Sequence, residues 1–133
     1  MNANGPAVMQ QVPEPQALLR SAEIHSDTTK KNLEKGIELR VNYLEHLKNG
    51  GAERSDQEKR AEMGVFVQVK KLEMGCEKMF DEIAENVKQN RFGPEDQERL
   101  FNVTHGFAQE LLTMKRRANA LFNEIVETER TRK

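Results

Sequence analysis

The sequence predicts an all-α fold: three long antiparallel helices, an up-down-up bundle with coiled-coil-like packing, after a disordered N-terminal tail. Three observations predict it. Large apolar residues recur at steps of three and four along most of the chain, the spacing of one helical face. Two sets of stop and start signals, from Asn49-Gly50-Gly51 to Ser55 and at Gly93-Pro94, divide that pattern into three segments. Aromatics are only 5% of the residues, and turn signals do not recur at the spacing of a sandwich or barrel.

Composition limits how the segments can pack. Leu, Ile, Val and Phe account for 30 of the 133 residues, while 32% are charged. That apolar share is just above the level of disordered chains, and a net charge of −1 leaves the disorder signature incomplete. The apolar residues must therefore gather in narrow seams. No apolar run approaches the length of a membrane span.

Residues 1–14 include Pro6 and Pro13 and have no periodic apolar pattern, so they are expected to form the tail. Residues 15–133 are expected to form a single domain. Pro15 suits a first helical turn. Leu18, Ala22, Thr29, Leu33, Ile37, Val41, Leu44 and Leu47 then form a stripe. The stripe is weakest over residues 25–32, where the helix either continues or breaks near Ser26-Asp27, with Asp27 capping a second segment. Asn49-Gly50-Gly51 ends it.

Ser55 and Glu58 make a capping box. The helix they open carries Val65, Val69, Leu72, Cys76, Met79, Ile83 and Val87, close to a heptad seam. Residues 65–69 are β-prone, but no other segment offers a partner strand. Pro94 starts the third helix, with the seam Leu100, Thr104, Phe107, Leu111, Met114, Ala118, Leu121 and Ile125. A second row adds Phe101, Ala108, Leu112, Phe122 and Val126. Together the rows cover about half the circumference, enough to face two neighbouring helices. The thin apolar content makes such a bundle marginal alone, and dimerisation or docking on a partner is the natural remedy.

The sequence lacks the motifs of familiar chemistry. It has no glycine-rich phosphate loop, no nucleophile elbow and no H-E-x-x-H. No Glu stands three residues before His25, His46 or His105, as a di-iron bundle needs. Cys76 falls in an apolar seam and is expected to be inert packing. No catalytic residue, metal, cofactor or small-molecule substrate is expected. Acids and bases nearly balance in each third of the chain, which disfavours nucleic acid as a partner. Lys115-Arg116-Arg117 is one small basic cluster, and Arg130, Arg132 and Lys133 suit a helix C-terminus. With one cysteine and no signal peptide, a reducing cytoplasmic or nuclear location is expected.

Two features go beyond packing. On the second helix, with Gly64 at 0°, the seam centres near about 105°. Met63, Val67 and Met74 project at about 260°, 300° and 280°, almost away from it. A monomeric bundle gains nothing from that stripe, and methionine suits adaptable partner surfaces. Gly36, Gly64, Gly75 and Gly106 also lie inside predicted helices, each at a cost of about 1 kcal/mol relative to Ala. Gly64 and Gly75 flank the methionines. Met63, Gly64, Val67, Met74 and Gly75 are therefore the candidate partner-binding residues, for another protein or a second copy of the chain.

Val69-Lys70, Lys78 and Glu82-Ile83 loosely resemble the second helix of the BAG domain, a three-helix co-chaperone module. The likeness covers about half of the chain. The basic start of that family's third helix is absent, because Arg99 is followed by Leu100, Phe101, Asn102 and Val103. Its chaperone-contacting residues are therefore not carried over. The expectation is a non-catalytic helical interaction protein, a subunit or adaptor of a larger assembly. A chaperone or co-chaperone is the alternative, and a regulator of nucleic-acid machinery is a weaker third.

Overall fold

A computed structural model describes residues 14–132; the expected tail, except for Glu14, and Lys133 lie outside them. Three helices form: α1 (Pro15–Lys48), α2 (Asp56–Lys88) and α3 (Pro94–Thr131). At 1.5 Å per residue each is about 50–57 Å long. Among the described residues there is no strand, and residues 65–69 are helical. None of these helices is long and apolar enough to cross a membrane.

The boundaries follow local chemistry. Gly50 ends α1 with a φ of +81°, a conformation that glycine takes without strain. Ser55 Oγ accepts from the Glu58 amide at 3.2 Å, and the Ser55 amide donates to Glu58 Oε1 at 3.0 Å, completing the capping box. α2 stops where Asn90 takes a φ of +55°. Pro94 then opens α3.

α1 packs along both other helices, whereas α2 and α3 approach each other closely at few positions. α1 and α3 run parallel, with Lys30 bound to Glu110 and Lys48 to Glu124. α2 runs antiparallel to both. The core is three apolar clusters in a row. One end holds Leu18, Ala22, Met79, Ile83 and Leu100. The middle holds Leu33, Ile37, Val69 and Ala118, and the other end Tyr43, Leu44, Leu47 and Ile125. Gly36 lets the Phe66 ring lie against the α1 backbone, since a Cβ there would stand 2.5 Å from it.

Two polar layers separate the clusters. Ser26, Thr29 and Cys76 form the first and are buried. Thr29 Oγ1 donates to the His25 carbonyl at 2.8 Å and shares a 3.2 Å hydrogen bond with Cys76 Sγ. This layer resolves the alternative left open by the sequence: α1 does not break near Ser26-Asp27, and Asp27 caps nothing. The residues are polar but small, and they face a thiol on α2 rather than water.

Arg40 and Glu62 form the second layer. Arg40 Nε donates to Glu62 Oε2 at 3.2 Å, and its Nη1 donates to the Ala118 carbonyl at 2.8 Å. Its guanidinium lies 3.8 Å from the Phe66 ring centre and 5.1 Å from that of Phe122. Arg54 binds the other Glu62 oxygen and covers the Tyr43 ring, whose hydroxyl donates to Glu129. One buried network thus ties all three helices to the first connection.

A second expectation is corrected here. The two apolar rows of α3 do not both pack against neighbours. The seam is buried or half-buried, but Phe101, Ala108, Leu112, Phe122 and Val126 are exposed. The reason is the spread between α2 and α3, which leaves the second row uncovered.

Candidate partner-binding face

Met63, Val67 and Met74 are 65%, 50% and 53% exposed, large values for side chains of this kind. They point where helical periodicity places them. The glycines beside them differ. Gly64 is open, with nothing within 4 Å of an added Cβ. Gly75 is half-buried, and its added Cβ would meet the His25 ring at 3.5 Å. Gly75 therefore borders α1, and the two glycines do not form a shared docking row with the methionines.

The Glu73–Lys115 ion pair, at 2.6 Å, fixes how α2 and α3 face each other. Around α2 the order is seam at about 105°, Glu73 at about 180°, then the methionine stripe near about 280°. Around α3, with Leu100 at 0°, Phe122 stands at about 40°, Lys115 at about 60°, Val126 at about 80° and Leu112 at about 120°. Phe122 thus sits at the edge of the seam, beside the Arg40 guanidinium, and beyond the ion pair come Val126 and Leu112 on α3 and the methionine stripe on α2. For antiparallel helices, the same sense of rotation puts both rows on one side of the pair. The exposed apolar residues of α2 and α3 share one face.

The register follows from the same pair. Because the helices are antiparallel, stepping back from Glu73 along α2 steps forward from Lys115 along α3. On that register Met74 falls level with Met114, two residues from Leu112, while Val67 and Met63 fall within one residue of Phe122 and Val126. Lys70 falls within one residue of Asn119, so a polar pair lies midway along the apolar face.

Charge is uneven there. From residue 59 to 74, the exposed ions of α2 are Lys59, Arg60, Lys70 and Lys71. The acids in that stretch are Glu62, which is buried, and Glu73, whose side chain is 14% exposed and held by Lys115. From residue 111 to 123, α3 carries Lys115, Arg116 and Arg117 and no acid. The balance by thirds of the chain concealed this, because the acids of α2 cluster further along, from Glu77 to Glu85.

Other singled-out groups lie elsewhere. Cys76 is buried, and desolvation pushes its thiol above the ordinary value of 9.0, which suppresses the reactive thiolate. Among the described residues, no three His, Cys, Asp or Glu side chains gather as a metal site. An open groove between α1 and α3 is lined by Ile37, Val41 and Met114, with Glu38 and Arg117 at its edge. Glu34 and Thr113 add further polar groups to its lining.

Sequence reasoning missed the α3 half of the face. Leu112, Phe122 and Val126 look like packing residues when α3 is considered alone. The signal lay in α2, whose single seam offers no second row to receive them. Comparison with known protein families, curated proteins and solved structures finds no match to this chain.

Proposed function

We propose that the chain is a non-catalytic helical interaction module, a subunit or adaptor that docks another protein on the α2–α3 face. One observation carries this: Met63, Val67, Met74, Leu112, Phe122 and Val126 are exposed, and helical periodicity about the Glu73–Lys115 ion pair sets the two rows toward one side of α2 and α3. Single exposed apolar residues are ordinary on a protein surface, but a contiguous set marks an interaction site. Methionine adds adaptability to such a surface, because its unbranched thioether repacks at little cost.

The test compares the full chain with its Met63→Glu/Met74→Glu variant. Both methionines are more than half exposed, so the melt should shift by less than about 0.5 kcal/mol of stability. Stoichiometric co-purification of a partner protein with the wild-type chain, lost in the variant, supports the proposal. Burying two unpaired carboxylates in an apolar contact is expensive. A variant that melts normally and retains the partner at full strength overturns it.

A further inference from the structure

We infer that the occupant of the α2–α3 face is an amphipathic helix of a partner protein, with acidic flanks and an acidic residue midway along its apolar stripe. This rests on the interaction proposal above and adds the chemistry of the partner.

The shape argues for a helix. Met63, Val67, Lys70 and Met74 follow one another at steps of four, three and four along α2. Leu112, Asn119 and Val126 follow at steps of seven along α3, with Phe122 between. These are the intervals at which one helix receives the side chains of another. α2 and α3 approach each other at few positions, so a helix laid along both would complete a four-helix bundle. From Met63 to Met74 the face runs about 16 Å, or three helical turns.

The charges argue for acid. The apolar residues are framed by Lys59, Arg60, Lys70, Lys71 and Arg116, while Lys115 and Glu73 offset each other. The acids within the same stretches are buried or already paired. Opposite charge on the incoming helix speeds encounter and fixes register, whereas like charge is rejected. Lys70 and Asn119, within one residue of the same level, supply the central contact. An acid on the partner at that height pairs with Lys70, and a purely apolar stripe would bury its ammonium without a partner.

Two other occupants fit less well. A second copy docked face to face would set the basic frame against itself. A bilayer would have to take up Lys70 and Asn119 at the centre of the buried surface. The face also lacks Trp, which the whole chain lacks and which favours membrane interfaces.

The experiment uses the full chain and a synthetic helical peptide of about 18 residues. The peptide has Leu at its a and d positions, Glu on both flanks and Asp at the central d position. A second peptide replaces every acid by Lys. Binding is read by fluorescence anisotropy at low and high salt. Vesicles of phosphatidylcholine with phosphatidylserine, and sedimentation of the chain alone, are the other arms. The acidic peptide is expected to bind, more weakly as salt rises, with the lysine peptide at least about tenfold weaker. Lys70→Glu should weaken the acidic peptide about tenfold and leave the thermal melt unchanged.

Equal binding of the two peptides overturns the inference, as does failure of the acidic peptide. Vesicle binding without peptide binding overturns it in favour of a membrane. Self-association abolished by Met63→Glu/Met74→Glu overturns it in favour of a second copy. If that variant still loses its co-purifying partner while the acidic peptide fails, the interaction proposal stands and only the partner's chemistry is wrong.

Discussion

Replacing Arg40 with methionine probes the network that joins all three helices. The residue is 8% exposed. At 3.2 Å from Glu62 and an effective dielectric of about 20, their attraction is about 5 kcal/mol. Burial opposes it and is the larger influence, holding the Arg40 pKa below the ordinary 12.5. The complete network is therefore worth little compared with an apolar set of the same volume, but removing one member is costly. Methionine fills much of the space of the arginine stem. It leaves Glu62 with Arg54 alone and the Ala118 carbonyl without its 2.8 Å donor.

Glu62 keeps a cation, so the loss is that of the hydrogen bonds and ring contact of Arg40, about 1–3 kcal/mol, still a sizeable part of the stability of a small domain. In melting temperature that is a fall of about 3–12 °C. The triple variant Arg40→Met/Glu62→Leu/Arg54→Met removes every charge at once and should recover most of the loss. Urea unfolding followed by far-UV circular dichroism measures all three proteins. A single variant losing less than about 1 kcal/mol at unchanged m would refute the argument. So would a triple variant no more stable than the single one.

Three further predictions follow from local geometry. Gly64→Ala should stabilise α2 by about 0.5–1 kcal/mol, because nothing lies within 4 Å of the new methyl, while Gly36→Ala should destabilise by about 1–3 kcal/mol, because its methyl meets the Phe66 ring at 2.5 Å; paired thermal melts decide both. Ser26→Ala should be stabilising by about 1 kcal/mol, since the buried Ser26 hydroxyl has no hydrogen-bond partner; a loss on denaturant titration would show that the hydroxyl is satisfied. Burial raises the Cys76 thiol above 9.0 and is the main cause that raises the Tyr43 hydroxyl above 10.0, so the folded chain keeps these protons where the unfolded chain releases them. Their stabilisation is present below about pH 9 and fades as pH rises through the raised native values; a Cys76→Ala variant should lose stability less steeply with alkali, and an unchanged slope would count against the buried thiol.

The three helices were legible because their ends use local chemistry. Ser55 with Glu58, Gly50 and Pro94 each act within a turn of themselves. The α2 seam was legible because one period serves one face. What escaped depends on a neighbour. Ser26 and Thr29 look like a weak point until Cys76 is seen opposite them. Arg40 and Glu62 count as solvated when hydrophobicity is averaged along one helix, yet each buries the other. Met63, Val67 and Met74 were legible from the wheel of α2 alone. Leu112, Phe122 and Val126 were not, because their exposure depends on how far α2 stands from α3. The local basic charge was hidden by averaging over segments instead of faces.

The parallel pairing of α1 with α3 has a consequence for the order of folding. Its contacts join residues far apart in the chain; Lys30 and Glu110 are separated by 80 positions, and Arg40 and Ala118 by 78. Closing such a loop adds only slowly to the entropy cost, but distant contacts slow folding relative to local ones. α1 and α2, joined by a short connection, can pair first. Leu100, Leu111, Ala118 and Ile125, which cover the other side of α1, are the last core residues to leave the ribosome. A chain halted before Leu100 is a two-helix hairpin with Leu33 and Leu44 uncovered along one side. A truncation within α3 removes core residues that cover α1 and should be read as a folding defect before it is read as a binding one.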